Sequence, residues 1–168
     1  FSEDTDSYFP LKLIVSCQDP EPLQPGEWDY YPFEHTPTGS FYIGVDFGKK
    51  QDYSVVAVVD KRADGRLRLV HLKRFPLETP YASVIGYVKA LTDRFHTVRK
   101  VQADQTGVGE YIVEDMKKAI STPIEGITLT IPTKQDLLGN LKMRMEAGTV
   151  LIPYDRALIA EINAERFE

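Results

Sequence analysis

Two short stretches hold the side chains with the most chemical promise. Ile43-Gly44-Val45-Asp46-Phe47-Gly48 reads as a strand that ends in a carboxylate, with Asp52 six residues beyond Asp46. Strand alternation puts Ile43 and Val45 on one face and Gly44 and Asp46 on the other. Asp46 therefore falls at the edge of a sheet instead of in its core. Val101-Gln102-Ala103-Asp104-Gln105-Thr106-Gly107-Val108-Gly109-Glu110 repeats the arrangement: a strand ends at Asp104, and a glycine-containing turn leads into a helix. If the two strand ends are neighbours, Asp46 and Asp104 converge. Mg²⁺ requires hard oxygen donors of this kind, and two such ions about 3.5–4 Å apart can activate a water and stabilise the leaving oxygen of a phosphodiester. The plainer alternative is a pair of turn aspartates satisfied by their own backbone, with Thr106 capping the helix and the glycines relieving a tight turn. A phosphate cradle at Gly107 and Gly109 is a further option.

The elements that must position these residues can be read from periodicity. Phe41–Asp46, Tyr53–Val59 and Arg66–Leu72 are strand signals rich in β-branched residues, and Asp64-Gly65 between the last two is a hairpin turn signal. Together they predict an antiparallel meander. Thr79-Pro80 then offers a helix start with a cap residue before proline. Tyr81, Val84, Ile85, Val88, Leu91 and Phe95 follow at helical spacing. Val98–Ala103 is predicted as a strand, Gly109–Ala119 as a helix and Ile127–Ile131 as another strand. Lys134–Ala147 is predicted as a helix with Leu137, Leu138, Leu141 and Met145 on one face, stopped by Gly148. Val150–Pro153 is a short extended piece, and Asp155 caps a last helix. A meander followed by alternating units predicts an α/β fold, a mixed sheet with an antiparallel three-strand meander plus parallel strands, flanked by helices.

The chain has 168 residues, which suggests one domain with an appendage. Residues 1–40 are expected to form an irregular N-terminal arm lying on the domain, with the apolar run Phe9–Cys17 available to pack on a neighbouring domain, and residues 41–168 form the domain itself. The arm carries prolines at 10, 20, 22, 25, 32 and 37 and a charge of −7, whereas residues 41–168 carry +2. The overall −5 therefore belongs to the arm, and a nearly neutral body is compatible with a local grip on nucleic acid. The single cysteine, Cys17, excludes an intrachain disulfide framework and points to a reducing compartment. The start is acidic and lacks a secretory pattern, and no apolar run approaches a membrane span. The chain does not begin with methionine, so a piece of a longer protein is expected.

Basic residues cluster in two places. Lys49 and Lys50 lie between Asp46 and Asp52, while Lys61, Arg62, Arg66 and Arg68 flank the hairpin turn. Lys49, Lys50, Arg62 and Arg66 are candidate phosphate contacts of the sequence-independent, salt-sensitive kind; the alternative is a solvated hairpin tip. His35, His71 and His96 have no metal-ligand spacing, and Cys17 has no base partner, so a zinc site and a hydrolase triad are unsupported.

The Ile-Gly-Val-Asp-Phe-Gly strand with its Asp-Tyr-Ser sequel resembles the opening motif of large terminase nuclease domains. Ala103-Asp104-Gln105-Thr106-Gly107-Val108-Gly109 matches a second motif. Lys134-Gln135-Asp136-Leu137-Leu138-Gly139-Asn140-Leu141-Lys142, with Glu146-Ala147-Gly148 and Ile152-Pro153, matches a third. The resemblance spans roughly residues 41–167, with the motifs in the family's order. It implies a ribonuclease H-like fold and Mg²⁺- or Mn²⁺-dependent cutting of double-stranded viral DNA during genome packaging, with two ions. It also implies partners (a packaging ATPase domain, a portal and a small terminase subunit) and a location in the cytoplasm of the infected host cell. Carried over by position, Asp46 and Asp104 are the first two catalytic, metal-binding carboxylates, and Asp52 is an auxiliary metal position. The family's third carboxylate normally sits in a late acidic pair opening the final helix. Asp155, Glu161 and Glu165 are expected to cap or face out from a helix, so the third role stays unassigned and the domain is expected to lack its C-terminal end.

Two other classes compete. An actin-like or sugar-kinase ATPase half-domain also begins with a strand-Asp-x-Gly turn, but there Thr or Ser usually follows, where Lys49-Lys50-Gln51 stand here. A non-catalytic docking module on the same fold is the other. Holliday-junction resolvases are a nearer cousin within the nuclease class. No Walker-type phosphate loop is present, so this chain is no motor by itself.

Overall fold

The computed structural model describes residues 7–21, 37–48, 51–108 and 110–166. In chain order the elements are α1 (Leu11–Ser16), β1 (Thr38–Asp46), β2 (Val55–Lys61), β3 (Leu67–Arg74), α2 (Tyr81–Arg94), β4 (His96–Asp104), α3 (Glu110–Ala119), β5 (Ile124–Ile127), α4 (Ile131–Glu146), β6 (Val150–Leu151) and α5 (Arg156–Ala164). The strands form one six-stranded sheet in the order β5-β4-β1-β2-β3-β6. β1, β2 and β3 pair antiparallel as the predicted meander, while β4 joins β1, β5 joins β4 and β6 joins β3 in parallel. This is the mixed, helix-flanked sheet that the patterning predicts.

Alternation along the strands divides the interior into two layers. In β1, Phe41, Ile43 and Val45 are buried, and Tyr42, Gly44 and Asp46 are exposed. The buried set packs with Val56, Val58 and Val70 under Val84, Ile85, Val88 and Leu91 of α2 and Ile112, Val113 and Met116 of α3. β3 sends Val70 into this core and Leu69 to the opposite face. There a second cluster gathers Phe9, Ile14 and Cys17 with Met145, Val150, Ile152 and Ile159. Thus Leu11–Ser16, in the segment expected as an irregular arm, is helical, and its Ile14 is fully buried. Gln18 bridges Ile152 in parallel, which extends the sheet beyond β6. Buried Arg68 donates to the Asp19 carboxylate and, at 2.8 Å, to Glu21. Residues 22–36 lie outside the described residues.

Several boundaries differ from the sequence expectation for local reasons. The expected strand Ile127–Ile131 lies earlier, at Ile124–Ile127, because Thr130 caps α4 by accepting from the Thr133 amide at 3.2 Å. Thr79 does not cap α2: its hydroxyl donates to the Pro76 carbonyl at 2.6 Å, and Pro80 holds the cap position without a side-chain bond. The four-residue apolar face expected on the helix from Lys134 is also split. Met145 is buried and Leu138 packs on the second cluster, but Leu137 and Leu141 point to solvent. Asp155 does cap α5, accepting from the Leu158 amide at 3.0 Å. Among the described residues no helix is long and apolar enough to cross a membrane.

Candidate active site

The parallel pairing of β1 with β4 brings the two strand-end carboxylates together. Asp46 and Asp104 are direct register partners, so their Cα atoms are separated by one inter-strand step of about 4.8 Å. Both side chains line one open cleft, with Phe47, Gly48, Asp52, Tyr53, Val55, Arg74, Thr106, Leu129 and Glu161 around it, and the cleft's volume is about 450 Å³. The chain returns Asp52 to the site through a tight turn after β1. Gly48 donates its amide to the Ser54 hydroxyl at 2.9 Å, and its carbonyl accepts from the Tyr81 hydroxyl at 2.9 Å. A Cβ at residue 48 would overlap the Asp52 carbonyl oxygen, so the close return of the turn requires glycine there.

The turn after β4 is built for a similar purpose. One oxygen of Asp104 accepts the Thr106 amide at 2.9 Å, which orients the carboxylate. Gly107 has φ +74, a left-handed conformation that glycine adopts without strain. The Thr106 hydroxyl accepts from the Leu129 amide at 2.7 Å and fastens the segment after β5 to the cleft wall.

Electrostatics single out Asp46. It is open to water but lies on the floor of a concave cleft, with protein on several sides. This partial desolvation, followed by the charges of Asp104 and Asp52, raises its carboxyl above the ordinary value of 3.8. The negative charges of Asp104 and Asp52 both bear on Asp46, and a cation beside them would be attracted. Among the described residues no group of three His, Cys, Asp or Glu is placed to hold a metal ion by itself. An open arrangement still suits Mg²⁺, which keeps several waters and binds through one or two carboxylates plus substrate phosphates.

The other sequence candidates fall elsewhere. Arg62 and Arg66 close the β2–β3 turn, where the Arg62 amide donates to the Arg66 carbonyl and Arg66 pairs with Asp64 at 2.9 Å. Val55, at the cleft end of β2, is six residues from Lys61, so the turn lies about 20 Å from the carboxylates. Lys49, Lys50 and Gly109 lie outside the described residues. Two cleft residues were not singled out from sequence. Arg74 pairs in register with Val55, which in turn pairs with Asp46. Glu161 was expected to face outward from α5; it is exposed, but into the cleft, 3.7 Å from Arg74. The register of the meander, counted back from the Asp64-Gly65 turn, is the signal that could have found Arg74. No local signal marks Glu161, because the packing of α5 decides which way it faces.

Comparison with known proteins identifies the family and the fold. The chain is 32% identical over 140 residues to the terminase large subunit of Thermus virus P23-45, which covers 80% of this chain and 27% of that protein. The chain thus spans about a quarter of the length of this relative. The crystal structure of the large terminase nuclease from thermophilic phage G20c superposes with a TM-score of 0.76 at 25% identity, covering 96% of this chain and 82% of that one. The same nuclease with bound magnesium gives 0.76 at 26% identity, covering 97% and 82%. The fold is therefore the ribonuclease H-like one that the motifs imply. A family model described as the terminase RNaseH-like domain matches residues 43–166, a stretch that contains both strand-end aspartates, and this chain belongs to that family.

Proposed function

We propose that this chain is the metal-dependent endonuclease portion of a large terminase subunit, which cleaves double-stranded viral DNA during genome packaging. The observation that carries this reading is the register pairing of Asp46 with Asp104 at the ends of adjacent parallel strands, with Asp52 in the same cleft. Asp46 and Asp104 would hold Mg²⁺ or Mn²⁺, two ions in the full site, and Asp52 would assist. When bound, such ions activate water and stabilise the leaving oxygen of a phosphodiester. The chain's own contributions are positional and protonic. The Thr106 amide fixes one oxygen of Asp104. Asp46, whose carboxyl is held above its ordinary value, would have to be deprotonated to hold a cation, so binding there would be weaker at acidic pH. A solved nuclease relative with bound magnesium supports a divalent ion. By family membership, the partners would be the packaging ATPase domain, a portal and a small terminase subunit, in the cytoplasm of the infected host cell.

The test is plasmid cleavage by a longer parent protein and by this chain, with Mg²⁺, Mn²⁺ or EDTA. The parent is expected to cut without sequence preference, this chain weakly or not at all, and Mn²⁺ to support cutting better than Mg²⁺. Asp46→Ala and Asp104→Ala should each abolish cleavage. Cutting that persists in EDTA, or is unchanged in both variants, rules the mechanism out.

A further inference from the structure

The cleft is acidic, yet its proposed substrate is a polyanion. Asp46, Asp52, Asp104 and Glu161 line it, and Arg74 is the one cation among its described lining residues. Register fixes where this cation stands. Asp46 pairs with Val55, and Val55 pairs with Arg74. All three share a face of the sheet, so the Arg74 Cα lies two strands, about 10 Å, from that of Asp46. The guanidinium carbon sits 4.5 Å from the centroid of the Tyr53 ring, itself 43% exposed. A guanidinium laid on an aromatic face keeps its N–H edge free and loses little entropy on binding a planar oxyanion.

Structural duty does not account for Arg74. Its ion pair with Glu161 is long, at 3.7 Å, and the two side chains are 56% and 70% exposed. So long and exposed a pair contributes little to stability. A weak, exposed counterion is also one that an incoming phosphate can displace, because the arginine fork matches a phosphate with stronger charge-assisted bonds.

We propose that Arg74, stacked on Tyr53, is the phosphate-binding residue of the cleft: it takes a backbone phosphate beside the one at the carboxylates and exchanges Glu161 for it. This rests on the nuclease reading above. The test measures binding of a short labelled DNA duplex across a salt series. It uses an Asp46→Asn background, so that the duplex is not cut, and thermal unfolding is followed for each protein. Arg74→Ala should make the slope of log K against log salt shallower by about 0.9, the loss of one phosphate contact. Arg74→Lys should keep the slope. Glu161→Gln should tighten binding, because the competing carboxylate charge is gone. An unchanged slope in Arg74→Ala overturns the proposal. So does a weakening in both Arg74→Ala and Glu161→Gln with a shared drop in melting temperature, which would mark a structural tether. Absence of DNA binding at low salt in the background protein overturns it as well. Failure of the nuclease reading itself shows separately, as metal-independent or Asp46-independent cleavage in the plasmid assay.

Discussion

Asp46 binds its proton more tightly in the folded cleft than in the unfolded chain, and the sign of that effect is testable. Partial desolvation in the cleft first, then the charges of Asp104 and Asp52, raise its carboxyl above 3.8. Its contribution to stability is therefore intact below about pH 3.8 and is lost as pH rises through the raised folded value. In EDTA, Asp46→Asn should melt above the parent at pH 7, and the gap should shrink as pH falls toward 4. Added Mg²⁺ should raise the parent's melting temperature and leave the variant's nearly unchanged. A variant that melts below the parent at pH 7 in EDTA contradicts the repulsion. Thr106 offers a second residue-scale test. Its hydroxyl holds the Leu129 amide, so Thr106→Val should cost about 0.5–1.5 kcal/mol in urea unfolding by removing that part-buried bond, and Thr106→Ser should recover most of it.

At the scale of elements, the site depends on two strand ends and one helix. β1 and β4 deliver Asp46 and Asp104 by pairing alone. α5 delivers Glu161, and Asp155 starts that helix by capping the Leu158 amide. Asp155→Ala should lower stability by about 1 kcal/mol. Because α5 also carries Ile159 into the second core, the loss should appear in global unfolding and not only as local fraying. Thr130→Ala should cost a similar amount at the start of α4. An urea midpoint unchanged in both variants would show that these caps are redundant. The existence of β1, β2, β3, α2 and α3 was legible in the sequence, since each has a clear period. The start of α4 was not, because Ile127–Ile131 reads equally well as a strand until Thr130 is seen to cap and Pro132 to sit in the first turn.

At the scale of the molecule, the sheet separates two apolar layers, and the second is completed by residues far apart in sequence. Phe9 and Ile14 meet Met145, Ile152 and Ile159. Arg68 of β3 pairs with Asp19, which is 4% exposed. Arg68→Met should destabilise the chain by about 3–5 kcal/mol, because it leaves a buried carboxylate unpaired. Arg68→Met combined with Asp19→Asn should recover much of that loss. A double variant as unstable as the single one would mean that Arg68 acts through packing alone. Phe9→Ala should cost about 3–5 kcal/mol for the cavity it opens, which would tie residues 7–19 to the stability of the whole.

By itself, the sequence determined the period of most elements and the identity of the two strand-end aspartates, because alternation and turn chemistry are local properties of the chain. It also carried the ordered motifs that mark the family. Only the tertiary structure decided that Asp46 and Asp104 are register neighbours, since strand pairing is non-local and one residue of slip would send a side chain to the other face. The same non-locality hid Arg74 and Glu161: one reaches the cleft across two strand pairings, the other by the packing of a helix 87 residues further along the chain. It also hid the role of residues 7–19, which the six prolines and the −7 charge of residues 1–40 placed in an irregular arm, while Phe9, Ile14 and Cys17 were apolar enough to be drawn into a core that other segments had left open.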